Sequence, residues 1–164
     1  MSNLSIWKQT KRIAIVWDYT DDQQMRTFVK AIDHFLQLNK FAQTLIIVNI
    51  PKDLDKKNLP PHFLIYYNSP ADFSFFGKLK DVQLETELQK AYDLLIWNAE
   101  LDSKIFPLLQ QTSIQRRVLV NAQNAKFDLQ IDTAQSDPQS QLQYIQQTLE
   151  RIAQWKHLKA QVSH

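Results

Sequence analysis

The chain has 164 residues, a formal charge of +2, no cysteine and a single glycine, Gly77; the length suits one domain that can bury about 70% of its unfolded surface without staples. Lack of cysteine excludes disulfides, thiolate catalysis and Cys-based metal sites and fits a reducing cytoplasm. One glycine, where ~7% usage would give about eleven, removes the glycine-rich loops that let backbone approach phosphate in dinucleotide and P-loop sites. No apolar run approaches the ~18 residues of a membrane span, residues 1–8 show no secretory signal, and the scattered Lys and Arg form no phosphate-tracking stripe, so neither membrane nor nucleic acid is an expected partner.

Residues 1–11 read as an N-terminal segment packing through Leu4, Ile6 and Trp7. Arg12-Ile13-Ala14-Ile15-Val16-Trp17-Asp18 follows as a first strand, apolar on both faces as a strand covered by helices on both sides requires. Thr20 with Gln23 forms a capping box opening a helix whose stripe is Met25, Phe28, Val29, Ile32, Phe35 and Leu36, ending near Asn39. Residues 44–50 are the second strand, stopped by Pro51, and residues 62–68 the third. The path between those two is too short for a crossover helix, which predicts antiparallel neighbours or strands separated by another, with one at an edge.

Residues 69–80 carry Phe73, Phe75, Phe76 and Gly77. This aromatic loop either caps the open end of the core or leaves part of itself exposed for a protein partner or a second copy of the chain. A helix over about 84–91 leads to the central strand Tyr92-Asp93-Leu94-Leu95-Ile96-Trp97-Asn98, and a short helix over 103–111 with Pro107 in its early turns leads to Arg117-Val118-Leu119-Val120-Asn121, completing one βαβ unit. Residues 129–132 form a brief edge strand. Asp137-Pro138 then caps a closing helix along Leu142, Ile145, Leu149 and Ile152. The chain therefore divides into the segment 1–11, one α/β domain over 12–155 and a frayed tail over 156–164. The fold class is a single three-layer Rossmann-like α/β domain with a mostly parallel sheet of five or six strands.

Asp18, Asn49, Asn68, Asn98, Asn121 and Asp132 each stand at or beside the C-terminal end of an expected strand, the edge where open α/β sheets bind ligands. If the first and central strands are neighbours, Asp18, Tyr19, Asn98 and Glu100 surround that crevice with Trp17 and Trp97 beneath. Asn and Asp also start turns and cap helices for local reasons. The four histidines, His34, His62, His157 and His164, have no metal-ligand spacing, and no Ser is flanked by Gly as a nucleophile elbow requires, so no metal, cofactor or catalytic residue is assigned.

The runs Phe76-Gly77-Lys78-Leu79, Tyr92-Asp93-Leu94-Leu95-Ile96-Trp97-Asn98 and Phe127-Asp128-Leu129-Gln130-Ile131-Asp132 resemble, in order and spacing, a bacterial family of small domains of unknown function. The resemblance spans residues 12 to about 151. Many members of that family have glycine where this chain has Asn121 and Ala122. The strand order also looks like the N-terminal half of a heptosyltransferase-type glycosyltransferase, without the half that binds the nucleotide sugar. That family has no assigned activity, so the resemblance implies the fold; the residues themselves lead to a cytosolic Rossmann-like domain acting as a non-enzymatic interaction or self-association module through the Phe73 to Phe76 cluster or an exposed sheet edge, or else a small-molecule or nucleotide-sugar-related binder or enzyme using the strand-end crevice.

Overall fold

Runs such as Ile13-Ala14-Ile15-Val16 and Leu94-Leu95-Ile96-Trp97 bury side chains on both sides of an extended backbone, which only a central strand between two helical layers can satisfy. In the computed structural model, which describes residues 4–153, they lie side by side in the middle of a six-stranded sheet. The strands are β1 (Arg12–Asp18), β2 (Gln43–Asn49), β3 (Ile65–Asn68), β4 (Ala91–Asn98), β5 (Ser113–Val120) and β6 (Leu129–Ile131). Their order is β3-β2-β1-β4-β5-β6 and every pairing is parallel, which bears out the Rossmann-like α/β class expected from sequence and settles the place of β3, which the sequence leaves open. The tail expected over 156–164 lies outside the described residues.

The helices are α1 (Ile6–Gln9), α2 (Asp22–Leu38), α3 (Val82–Leu88), α4 (Phe106–Gln111) and α5 (Pro138–Glu150). Alternating strand residues supply two cores. Ile13, Ile15, Ile46, Leu94 and Ile96 pack beneath α1, α2 and α5 with Phe28, Ile32, Leu142 and Ile145. Ala14, Val16, Leu45, Ile47, Leu95 and Trp97 pack against α3 and α4 with Leu84, Leu88, Phe106 and Leu109. Asp93, at the start of β4, accepts hydrogen bonds from the Lys11 and Arg12 amides and the Arg12 guanidinium at 2.8–2.9 Å, joining the entrances of β1 and β4.

Four local expectations are corrected. β2 and β3 are parallel neighbours in register from Ile46 opposite Ile65 to Asn49 opposite Asn68. The crossover between them has no α-helix, and the buried Leu59 with the half-buried Leu54 and Leu64 fills the helical layer instead. β3 begins at Ile65 because His62 turns away to place Nε2 2.7 Å from Asp33 Oδ1 on α2. The cap of α2 is Asp21, whose carboxylate accepts from the Gln24 amide at 2.8 Å, leaving Thr20 exposed. Trp17 and Trp97 lie on opposite faces, since the register sets Val16 opposite Trp97 and Trp17 opposite Asn98, one residue out of step.

The aromatic loop divides between core and surface, and Phe73 is corrected from a partner-surface candidate to a core residue. Phe73 is buried against the second core and bridges antiparallel to Leu79, whereas Phe75 and Phe76 project from the turn at 97% and 91% exposure. Gly77 closes the turn at φ +79°, a left-handed backbone that glycine adopts without strain. Asn121, at φ +57°, occupies a second left-handed position, one where Asn substitutes for Gly at modest cost.

Candidate functional site

Because every strand runs the same way, the six residues noted at strand ends gather along one edge: Asp18, Asn49, Asn68 and Asn98 close β1 to β4, while Asn121 and Asp132 follow β5 and β6. The chain leaves β1 toward β2 on one side and leaves β4 toward β5 on the other, so the gap between β1 and β4 is where strand order reverses. Helices diverge there and a cleft opens above the sheet.

That cleft has a volume of about 580 Å³ and is lined by Asp18, Tyr19, Asn98 and Glu100, so the structure brings together all four residues named from sequence. Trp17, Met25 and Phe28 form its apolar floor, and the first turns of α2 and α5 form its walls through Gln24, Pro138 and Gln141. Trp97 is wholly buried and takes no part, its indole N–H donating to the Ala99 carbonyl at 2.9 Å.

Asp18 is the centre of this edge. Its Oδ1 accepts from the Asn49 side-chain amide at 3.1 Å and its Oδ2 from the Glu100 backbone N–H at 2.8 Å, so one carboxylate ties together the ends of β1 and β2 and the loop after β4. Burial raises its pKa above the ordinary value for an aspartate, against the pull of those two donors, and the charge on Asp102 pushes in the same upward direction. Beside it the Tyr19 hydroxyl donates to Asp22 Oδ1 at 2.6 Å.

The charges around the first cleft are of one sign. Asp18 and Glu100 line it, and among the described residues no Lys, Arg or His does. A helix N-terminus ordinarily attracts anions through its free amides. Here each N-terminus already has an acidic cap of its own, Asp21 accepting from the Gln24 amide in α2 and Asp137 from the Ser140 amide in α5.

Across the Asp18–Glu100 hydrogen bond lies a second cleft of about 250 Å³, bounded by the ends of β2 and β3 and the segment before α4. It shares Asp18, Tyr19 and Glu100 with the first and adds Asn68, Asp102, Ser103 and Lys104. Asn68 was legible as a strand-end residue but carried no sign of its burial, and Ser103 gave no signal in sequence. Among the described residues no cluster of His, Asp and Glu can hold a metal ion, and no helix is long and apolar enough to cross a membrane.

Comparison with known proteins bears on the fold. The chain is similar to the crystal structure of an exopolyphosphatase-related protein from Bacteroides fragilis, with a TM-score of 0.53 and 14% identity over 86% of this chain. The match spans 40% of that larger chain, and at this identity it speaks for the shared α/β architecture alone. No curated protein matches. A family model matches residues 2–152, and the chain thereby belongs to a family of unknown function, DUF6913.

Proposed function

We propose that this domain binds a small, polar, non-anionic molecule in the cleft above β1 and β4. The observation that carries the reading is a ligand-sized cleft at the strand-order reversal whose lining, among the described residues, includes two carboxylates and no cation. At 580 Å³ it falls within the range of small-molecule sites, with an apolar floor and a few convergent polar groups. The neighbour's description mentions exopolyphosphatase, but a polyphosphate-like ligand finds no support in this first cleft. It would meet Asp18 and Glu100 unscreened by any base among the described residues, and each of the two helix N-termini already holds a carboxylate, Asp21 on the Gln24 amide and Asp137 on the Ser140 amide.

The test is thermal denaturation of the purified chain against panels of sugars, amines, nucleosides and phosphates. A ligand at 100 times its Kd stabilises by about 2.7 kcal/mol. The expected result is a saturable rise in Tm from a neutral or cationic compound that is abolished by Gln24→Trp, a substitution at an exposed helical residue on the cleft wall. Stabilisation by phosphates alone, or by no member of the panel, would refute the reading.

A second reading has its own observation. Phe75 and Phe76, stacked edge to face at 5.4 Å and almost wholly exposed, support docking to a protein partner or to a second copy of the chain. Light scattering of the wild type and the double variant Phe75→Ser/Phe76→Ser tests it. A concentration-dependent association that the double substitution removes would support docking to a second copy, and equal monomeric mass for both would remove the self-association reading.

A further inference from the structure

Within the second cleft two polar side chains stand without partners. The Nδ2 of Asn68 and the Oγ of Ser103 are shut away from solvent and hydrogen-bond to nothing among the described residues. Asn68 is 4% exposed, and its backbone belongs to the β2–β3 ladder, its carbonyl accepting from the Ile50 amide at 2.8 Å. Orphans of this kind are rare, because a buried donor normally finds an acceptor. Two of them line the same small cleft, against the carboxylate that organises the whole edge. The torsion that turns the terminal amide of Asn68 is soft and the Ser103 hydroxyl can change between staggered rotamers, so each group can turn toward an oxygen placed in the cleft.

The charge around these donors fixes the ligand's character. Among the described residues Asp18, Glu100 and Asp102 line the cleft against one cation, Lys104, whose ammonium lies 5.9 Å from the Phe73 ring centre. A carboxylate or phosphate group would satisfy the donors and be repelled by three acids. An amine would satisfy the acids and leave the donors orphaned. A hydroxyl both accepts and donates, so adjacent hydroxyls can accept from Asn68, Ser103 and Lys104 while donating to the carboxylates. The volume, about 250 Å³, equals that of about eight water molecules at ~30 Å³ each, enough for one ring-sized group.

We infer that the second cleft is a subsite for a neutral polyhydroxylated ring, a sugar or cyclic polyol, with Asn68 and Ser103 as its specificity-determining donors. This deepens the small-molecule reading given above, and rests on it for the remainder of the ligand, which would extend across the Asp18–Glu100 bond into the larger cleft.

The experiment is a two-dimensional NMR titration of the full chain, following the side-chain amide pairs of Asn68, Asn98 and Asn121. The probes are glucose, galactose, mannose, ribose and myo-inositol, with inorganic phosphate and acetate as the anionic arm, each to tens of millimolar. The expected result is a saturable shift of the Asn68 pair with at least one polyol and none with either anion. Ser103→Ala should weaken that polyol about tenfold, the worth of one hydrogen bond. Since the Ser103 hydroxyl bonds nothing in the free protein, the same variant should melt no lower than wild type. A drop in its melting temperature would assign Ser103 a structural role and overturn the inference. Saturation of the Asn68 pair by phosphate or acetate, or its silence toward every polyol, would overturn it too. Movement of the Asn98 and Asn121 pairs with the Asn68 pair silent would leave the larger cleft a binding site and sink the subsite alone; silence of all three would sink both.

Discussion

Replacing Trp97 by alanine is the most demanding test of the architecture. The ring is wholly inaccessible, in the core against α3 and α4, with the Phe106 ring edge-on at 5.1 Å and the Phe127 ring at 6.4 Å. A tryptophan buries roughly 200 Å², which at ~25 cal/mol per Å² corresponds to about 5 kcal/mol. Residual compactness of the unfolded chain lowers that by about a quarter. The lost edge-on contact adds about 1 kcal/mol, and the Ala99 carbonyl loses its donor. Alanine keeps only a methyl of the buried surface, so the expected cost is about 4 kcal/mol, within the usual 3–5 for such a truncation. Against a typical total of about 5–15 kcal/mol, the variant would fold with a much reduced margin. Urea denaturation followed by far-UV circular dichroism measures it. The midpoint should fall with the slope unchanged, and Trp97→Phe should recover more than half the loss. A cost below about 2 kcal/mol would mean that the ring is not enclosed and that the placement of β4 beneath α4 is wrong.

Asp18 and Asp93 should respond to pH in opposite directions. Burial raises the pKa of Asp18, so its contribution is fully present below the unfolded value near 3.8 and is lost as pH rises through the folded value. Asp18→Asn can keep both hydrogen bonds if the Asn49 amide turns over, so its stability relative to wild type should increase from acid to neutral pH in urea melts; parallel profiles would refute this. For Asp93, burial pulls upward but the Arg12 guanidinium and the Lys11 and Arg12 amides outweigh it and hold the carboxyl below its ordinary value. That contribution is present above the unfolded value and lost as pH falls through the folded one, so Asp93→Ala should cost about 2 kcal/mol at pH 7, with the gap closing in acid. A pH-independent deficit would assign Asp93 a packing role only. Gly77→Ala meets no atom within 4 Å, so only the left-handed backbone is penalised, by about 1 kcal/mol, and a melt equal to wild type would show that the turn relaxes freely.

The parallel sheet was legible because it depends on composition along short runs. Uninterrupted stretches such as 13–17 and 94–97 leave no polar face, and the helices between β1 and β2 and between β4 and β5 show their own apolar stripes. The β2–β3 crossover was not legible, because its layer is filled by three leucines scattered through an irregular loop, with no periodicity to detect. The opposite placement of Trp17 and Trp97 was hidden for a different reason. Which face a strand residue takes depends on register against its neighbour, and one step of register exchanges every face. The four cleft residues could be named since the ends of strands are visible in sequence. The orphaned state of Asn68 and Ser103 could not be, because an unpaired buried atom is a property of everything that fails to reach it.

The two edges of the sheet are finished in opposite ways, and the contrast bears on where function lies. At the N-terminal edge the carboxylate of Asp93 takes three donors and has a basic partner, the arrangement that makes a buried charge stabilising. At the C-terminal edge Asp18 takes two donors, neither of them basic, and its neighbourhood adds the like charge of Asp102 and two polar groups with no partner among the described residues. A sheet built for stability alone would gain by replacing Asn68 and Ser103 with apolar residues of similar size, since removing an unpaired polar group relieves its desolvation cost. Measuring Ser103→Ala in the absence of any ligand therefore separates the two accounts: a more stable variant means that this edge carries a cost the fold does not require, the mark of a surface shaped for something that binds there.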